Sequence, residues 1–89
     1  MDIDVMLFGK LRELGGVSKE IVGIENATTL EGLISTLGEK HGQKFAEEVA
    51  ATTGLRILIN GREYQLLSGM ETQLKDKDTV VLLPPIEGG

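Results

Sequence analysis

The dipeptide Asn60-Gly61 lies between Leu55, Ile57 and Ile59 on one side and Tyr64 and Leu66 on the other. Asparagine and glycine tolerate positive backbone angles. Side by side they favour a type I′ turn, whose twist matches that of two antiparallel strands. Apolar residues at every second position then place one face of the hairpin on a core. A chain with this feature must build a sheet, and the other segments have to complete it.

Ile3, Val5 and Leu7 alternate with Asp2, Asp4 and Met6, the period of a half-buried first strand. Residues 10–16 are polar and contain glycine, which reads as a connection. Residues 17–24 place Glu20, Val22 and Ile24 on one side and Lys19 and Ile21 on the other, the pattern of a hairpin partner. Thr28 with Glu31 three positions later forms a capping-box signature. Leu30, Leu33, Ile34 and Leu37 follow at helical spacing, and Lys40, His41 and Gly42 supply the positive charge and the stop of a helix end. A second, weaker helix is expected over Gln43–Ala51, packing Phe45 and Val49. Beyond the Asn-Gly hairpin, residues 67–78 read as loop or a short turn of helix in which Leu74 plugs the core. The final strand, Thr79–Leu83, is apolar on both sides, as for a central strand or for one covered by a partner. Pro84 and Pro85 then end the ladder because they carry no N–H donor. Hairpin, helix, hairpin and last strand together describe an α+β fold, with a mixed sheet of four to five strands and one main helix on one face.

At 89 residues the chain has room for one core and none for a second. The sequence contains no cysteine, so neither a disulfide nor a side-chain persulfide is available. It lacks an apolar run of membrane-spanning length and the basic start of a signal peptide, so the expected location is cytoplasmic, with no membrane partner. Fourteen acidic against nine basic residues give a net charge of −5, which disfavours nucleic acid and favours a basic face on another protein.

Catalysis needs convergent groups, and here they are scarce. The one histidine, His41, reads as a capping or surface residue. Asp76 and Asp78 read as turn chemistry, and Glu47 and Glu48 as an exposed helix face. No cluster has metal-ligand spacing, and no cofactor is expected on this chain. What stands out is the end, Pro84-Pro85-Ile86-Glu87-Gly88-Gly89. Without β-carbons, Gly88 and Gly89 let a partner's tunnel close around their backbone. The prolines hold the base extended, and four residues reach at most roughly 14 Å beyond it. A carboxylate on Gly89 could thereby enter another protein's active site. As an acyl adenylate it would acquire a leaving group and could accept sulfur or be attacked by an amine.

The stretches VMLFGKLRELGG, ILINGREY, LKDKDTVVLLPP and the closing GG together resemble the MoaD family of β-grasp, ubiquitin-like sulfur carriers, with ThiS as a sibling. The resemblance spans nearly the whole chain. It implies a β-grasp domain over residues 1–85 and a flexible diglycine tail over residues 86–89. It also implies that an E1-like (MoeB-type) enzyme, using ATP and magnesium, adenylates Gly89. A sulfur donor would then convert the adenylate to a thiocarboxylate. As the non-catalytic small subunit of molybdopterin synthase, the chain would deliver that sulfur to a pterin precursor for molybdenum or tungsten cofactor synthesis. The catalytic side chains would lie on a MoaE-like large subunit. Phe8 and Arg12 match positions of partner docking, and Pro84, Pro85, Ile86 and Glu87 are expected to bind the partner along the tail. Two other roles share the tail chemistry: a protein modifier joined to lysines through Gly89, and a ThiS-like carrier for thiamine synthesis. Three positions depart from the family pattern. Lys77 stands where glycine is common, so the turn is expected either to differ or to hold Lys77 in a less comfortable conformation. Gly9 replaces an alanine and is expected to change little. Glu87 brings a charge beside the diglycine.

Overall fold

The computed structural model describes residues 1–85. Residues 86–89, and with them the expected roles of Ile86, Glu87, Gly88 and Gly89, lie outside the described residues.

Strand β1 (Asp2–Leu7) pairs antiparallel with β2 (Lys19–Gly23) and parallel with β5 (Thr79–Leu83). On its other side β5 pairs antiparallel with β3 (Arg56–Ile59), which closes a short hairpin with β4 (Arg62–Glu63). The sheet order is β2-β1-β5-β3-β4, so the last strand runs through the centre, parallel to the first, as its two apolar faces suggested. Asn60 (φ 51°) and Gly61 (φ 83°) both take the positive angles of the expected turn.

Among the described residues three helices form, where one main helix and a second, weaker one were expected. Helix α2 (Leu30–His41) buries Leu30, Leu33 and Leu37. Helix α3 (Gln43–Ala51) buries Phe45, as anticipated. Residues 10–16, read as a connection, instead belong largely to α1 (Gly9–Gly15). Leu11 is buried, Leu14 packs against the core three residues on, and the Gly16 N–H closes the helix onto the Arg12 carbonyl at 2.9 Å. Seven residues are too few to be helical on propensity alone, so α1 depends on this packing. Ile3, Val5, Leu7, Ile57, Ile59, Val80 and Leu82 line the sheet face beneath the helices, and Leu74 reaches the same core from its loop.

Two local readings shift. The cap of α2 is Thr29, whose side chain accepts from the Gly32 N–H at 3.2 Å. Thr28 is held one residue earlier in an extended path, because its carbonyl accepts from the Leu74 N–H in the bridge between Thr29 and Gln73. The second hairpin strand ends at Glu63, and Tyr64–Leu66 form a 3-10 turn. Tyr64 and Leu67, three apart, are the residues that pack on the core, which leaves Leu66 82% exposed.

Candidate functional site

The functional expectations converge on the end of β5, so the geometry there matters most. The last ladder contacts are the Phe8 N–H to the Leu82 carbonyl, at 3.2 Å on the β1 side, and the pairing of Leu83 with Arg56 on the β3 side. Pro84 and Pro85 come next, with nothing to donate. Gly9, with φ +61°, lies under the Pro84 ring: a β-carbon there would stand 3.5 Å from Pro84 Cγ. Gly54, with φ +77°, lies under Pro85. Gly9 therefore answers a backbone demand that alanine meets only with strain, which corrects the expectation that the replacement changes little.

Phe8 ends β1, caps α1 in an extended conformation and is 37% exposed. With Lys10, Leu11, Thr52, Leu55 and Pro84 it borders a hollow of about 40 Å³, room for a water and too little for a substrate. Arg12 is exposed on α1 and does not line that hollow, so the structure joins Phe8 to Pro84 and leaves Arg12 apart. The sheet face turned away from the helices carries Met6, Val81 and Leu58 in one row across three strands, with Leu83 beyond. These four side chains are only half-buried, and Ile21 on the β2 edge is 62% exposed. A half-exposed apolar surface beside a strand terminus is suited to covering by a protein partner.

Sequence reasoning missed a second cluster. His41 is not a surface residue: its side chain is 8% exposed, its Nε2 lies 2.5 Å from Glu20 Oε2, and its ring centroid is 5.0 Å from that of Phe45. Lys40 Nζ approaches Glu20 Oε1 at 2.7 Å as an ion pair rather than an aligned hydrogen bond. Burial acts to raise the Glu20 carboxyl, but Lys40 and His41 outweigh it and hold the group below its ordinary 4.5. Toward an ionised carboxylate the histidine must donate, which places the proton on Nε2. The cluster ties β2 to the end of α2, which is a structural role. Its sequence signal, a carboxylate on the inner face of β2 beside Val22, was visible, but the partner across 21 residues was not.

Among the described residues no group of three or more His, Asp or Glu side chains could hold a metal, and no helix is long and apolar enough to cross a membrane. Asp76 and Asp78 are turn residues, as read. Asp76 Oδ1 accepts from the Asp2 N–H at 2.7 Å, and Asp78 accepts from the Lys75 N–H and from Asn60 Nδ2.

Known proteins share this arrangement. The chain is 27% identical to small archaeal modifier protein 3 of Haloferax volcanii, with all of both chains covered. Its structure is similar to that of a molybdopterin converting factor, subunit 1, of Pyrococcus furiosus, at a TM-score of 0.79 and 26% identity, covering 97% of this chain and 99% of that one. The small archaeal modifier protein 1 of Methanosarcina acetivorans is similar at a TM-score of 0.77 and 29% identity, covering 99% of this chain and 96% of that one. The ThiS family model matches residues 5–89. With β-grasp topology, a central β5 leading to the two prolines and a family match running through the final diglycine, the chain belongs to the ThiS family of ubiquitin-like proteins.

Proposed function

We propose that the chain is a sulfur carrier that works through a thiocarboxylate on Gly89, as the small subunit of a molybdopterin synthase. The observation that carries this reading is the family match over residues 5–89, which takes in both terminal glycines. The chemistry needs no side chain from this protein. The Gly89 carboxylate attacks the α-phosphate of ATP on an activating partner, forming an acyl adenylate and releasing pyrophosphate. Hydrosulfide from the donor system then adds to the acyl carbon, a C–S bond forms, and AMP leaves with one of the original carboxylate oxygens. On a large subunit the thiocarboxylate sulfur bonds to an electrophilic carbon of the pterin precursor and displaces an oxygen leaving group, and water then cleaves the resulting thioester, which leaves the sulfur on the pterin and returns the carboxylate to Gly89. ATP and magnesium belong to the activating partner. Phe8, beside the Pro84 hollow, and the apolar row of Met6, Val81 and Leu58 support docking of the body while the tail enters the partner.

A second reading shares every step up to the acceptor: attack by a lysine amine would make the chain a protein modifier. The likeness to small archaeal modifier protein 3 favours it, as the likeness to a molybdopterin converting factor favours the first. The test is mass spectrometry of the chain after incubation with its activating enzyme, ATP, magnesium and sulfide. A gain of one sulfur for one oxygen is expected, and deletion of Gly89 should abolish it. Absence of the sulfur-bearing species would refute the carrier reading. Lysine adducts carrying a diglycine remnant in the host, without sulfur transfer to a pterin, would move the assignment to the modifier.

A further inference from the structure

Once β5 ends, the heading of the chain has to be fixed by something other than a ladder. Pro84 and Pro85 cannot donate hydrogen bonds, so no backbone pairing of the usual kind can aim the C-terminal segment. Among the contacts that remain are those of the two rings with two glycines, one from each flank of the central strand. Gly9 follows β1, the parallel neighbour of β5, and Gly54 precedes β3, the antiparallel neighbour. Both have positive φ, at +61° and +77°.

The two sides are not equivalent. A β-carbon on Gly9 would meet Pro84 at 3.5 Å, an ordinary van der Waals contact. At Gly54 it would stand 3.3 Å from Pro85 Cβ, tighter than carbon atoms pack at equilibrium, so the ring or the loop would have to give. Pro85 lies beyond the ladder, whereas Gly54 is held in a short loop. Leu55 packs on the core, and the Thr52 hydroxyl is bonded to the Glu48 carbonyl at 2.7 Å. The ring is the side that yields.

We infer that Gly54 is a positioning residue: with Gly9 it forms a seat for the Pro84–Pro85 pair, and the absence of a side chain at Gly54 sets the direction in which the C-terminal segment leaves the body. This rests on the carrier reading and adds to it a residue far from the reacting carboxylate in sequence. In a docked complex whose tunnel closes around the tail, a displaced root misplaces the carboxylate, and a misplacement near 1 Å at a reacting group costs on the order of a hundredfold in rate.

Gly61 supplies a matched control. Its φ of +83° imposes the same backbone strain on alanine, yet nothing lies within 4 Å of the position a β-carbon would take. The full chain and its Gly54→Ala, Gly61→Ala and Pro85→Gly variants are to be compared in adenylate formation by the activating enzyme, followed as pyrophosphate exchange. NMR cross-peaks between the Gly54 Hα and Pro85 Hβ protons are recorded alongside. The wild-type chain should show the cross-peak. Gly54→Ala and Pro85→Gly should lower kcat by tenfold or more with KM unchanged, because the body still docks while the carboxylate arrives off line. Gly61→Ala should keep both constants. A merely less stable fold would instead deplete the competent species and raise the apparent KM. Pro85→Gly alters the seat from the ring side, so the test survives if Gly54→Ala does not fold. An absent wild-type cross-peak, or wild-type kcat in both seat variants, would overturn the inference. A wild-type chain that shows the cross-peak but is never adenylated would refute the carrier reading, and with it the positioning role.

Discussion

Replacing Glu20 by glutamine tests whether the buried cluster holds β2 to α2 by charge. The substitution keeps the shape and leaves an amide oxygen to accept from His41 Nε2, so it removes the negative charge and little else. Glu20 Oε2 lies 2.5 Å from a histidine that is 8% exposed, and the Glu20 side chain is itself 9% exposed. A hydrogen bond to a charged group contributes about 1.5–3 kcal/mol. Lys40 is half in solvent, and its pairing adds no more than about 1 kcal/mol. Glu20→Gln should therefore lose about 2 kcal/mol at neutral pH, a fall in Tm of roughly 8–16 °C for a domain of this size. The sign with pH follows from the depressed carboxyl. A group whose folded pKa lies below its unfolded value stabilises fully above that unfolded value, here 4.5, and the contribution vanishes as pH falls through the folded value. Urea midpoints measured at equal m from pH 7 to pH 3 should show the gap between wild type and variant narrowing below pH 4.5. A gap that stayed constant over that range, or a variant more stable than wild type at pH 7, would refute the assignment of this stability to charge.

Three further substitutions separate neighbouring interpretations. Thr29→Ala should cost about 1 kcal/mol by removing the acceptor for the Gly32 N–H, while Thr28→Ala should cost less than half of that, both read from chemical denaturation. Lys77→Gly should raise stability by about 0.5 kcal/mol. It relieves a left-handed residue at φ 69°, offset by glycine's greater unfolded entropy, and keeps the 2.7 Å bond from the residue 77 N–H to the Asp2 carbonyl, so a lowered Tm would count against strain there. Phe8→Ala should leave the Tm within a few degrees but weaken binding to the large synthase subunit by about tenfold or more in calorimetry, as for an aromatic anchor at an interface.

Much of the architecture was legible because it is written in local periods. The Asn60-Gly61 turn, the stripe of Leu30, Leu33 and Leu37, and the apolar β5 each announced an element, while the choice between a central β5 and a partner-covered one came from the sheet order. Helix α1 was hidden because its pattern is only two leucines, Leu11 and Leu14, three apart, in a segment whose charges and glycines read as loop. The shifted cap is instructive for a different reason. Thr28 and Thr29 are equally good caps by chemistry, and the choice between them is made by Leu74, whose N–H takes the Thr28 carbonyl from 46 positions away. Gly32 in α2 sits where the Thr28 hydroxyl fills the space of a β-carbon. Of the two outcomes expected at Lys77, the less comfortable conformation is present, at φ 69°. At the site, the prolines were evident from sequence and their seat was not. Gly9 and Gly54 are distant in the chain and meet the prolines only because β5 inserts between β1 and β3.

Under the proposed carrier function, the position of β5 has a mechanical consequence. An edge strand is bonded on one side and opens locally at low free energy, whereas a strand with partners on both sides opens only as the sheet does. Here the strand that leads to the tail has β1 on one side and β3 on the other, with Val80 and Leu82 fully buried beneath the helices. The root of the tail is thereby fixed to the most constrained part of the fold, and the hold of the ladder lasts as far as Leu83. Had the chain ended on β2 or β4, fraying of the edge would have moved the root by ångströms and blurred the delivery of any carboxylate. Amide exchange offers a direct reading: the Val80 and Leu82 N–H groups should exchange only through global unfolding, with a free energy equal to that from denaturation. Exchange of either amide through a smaller opening, at a free energy several kcal/mol below the global value, would show that the central strand does not anchor the terminus.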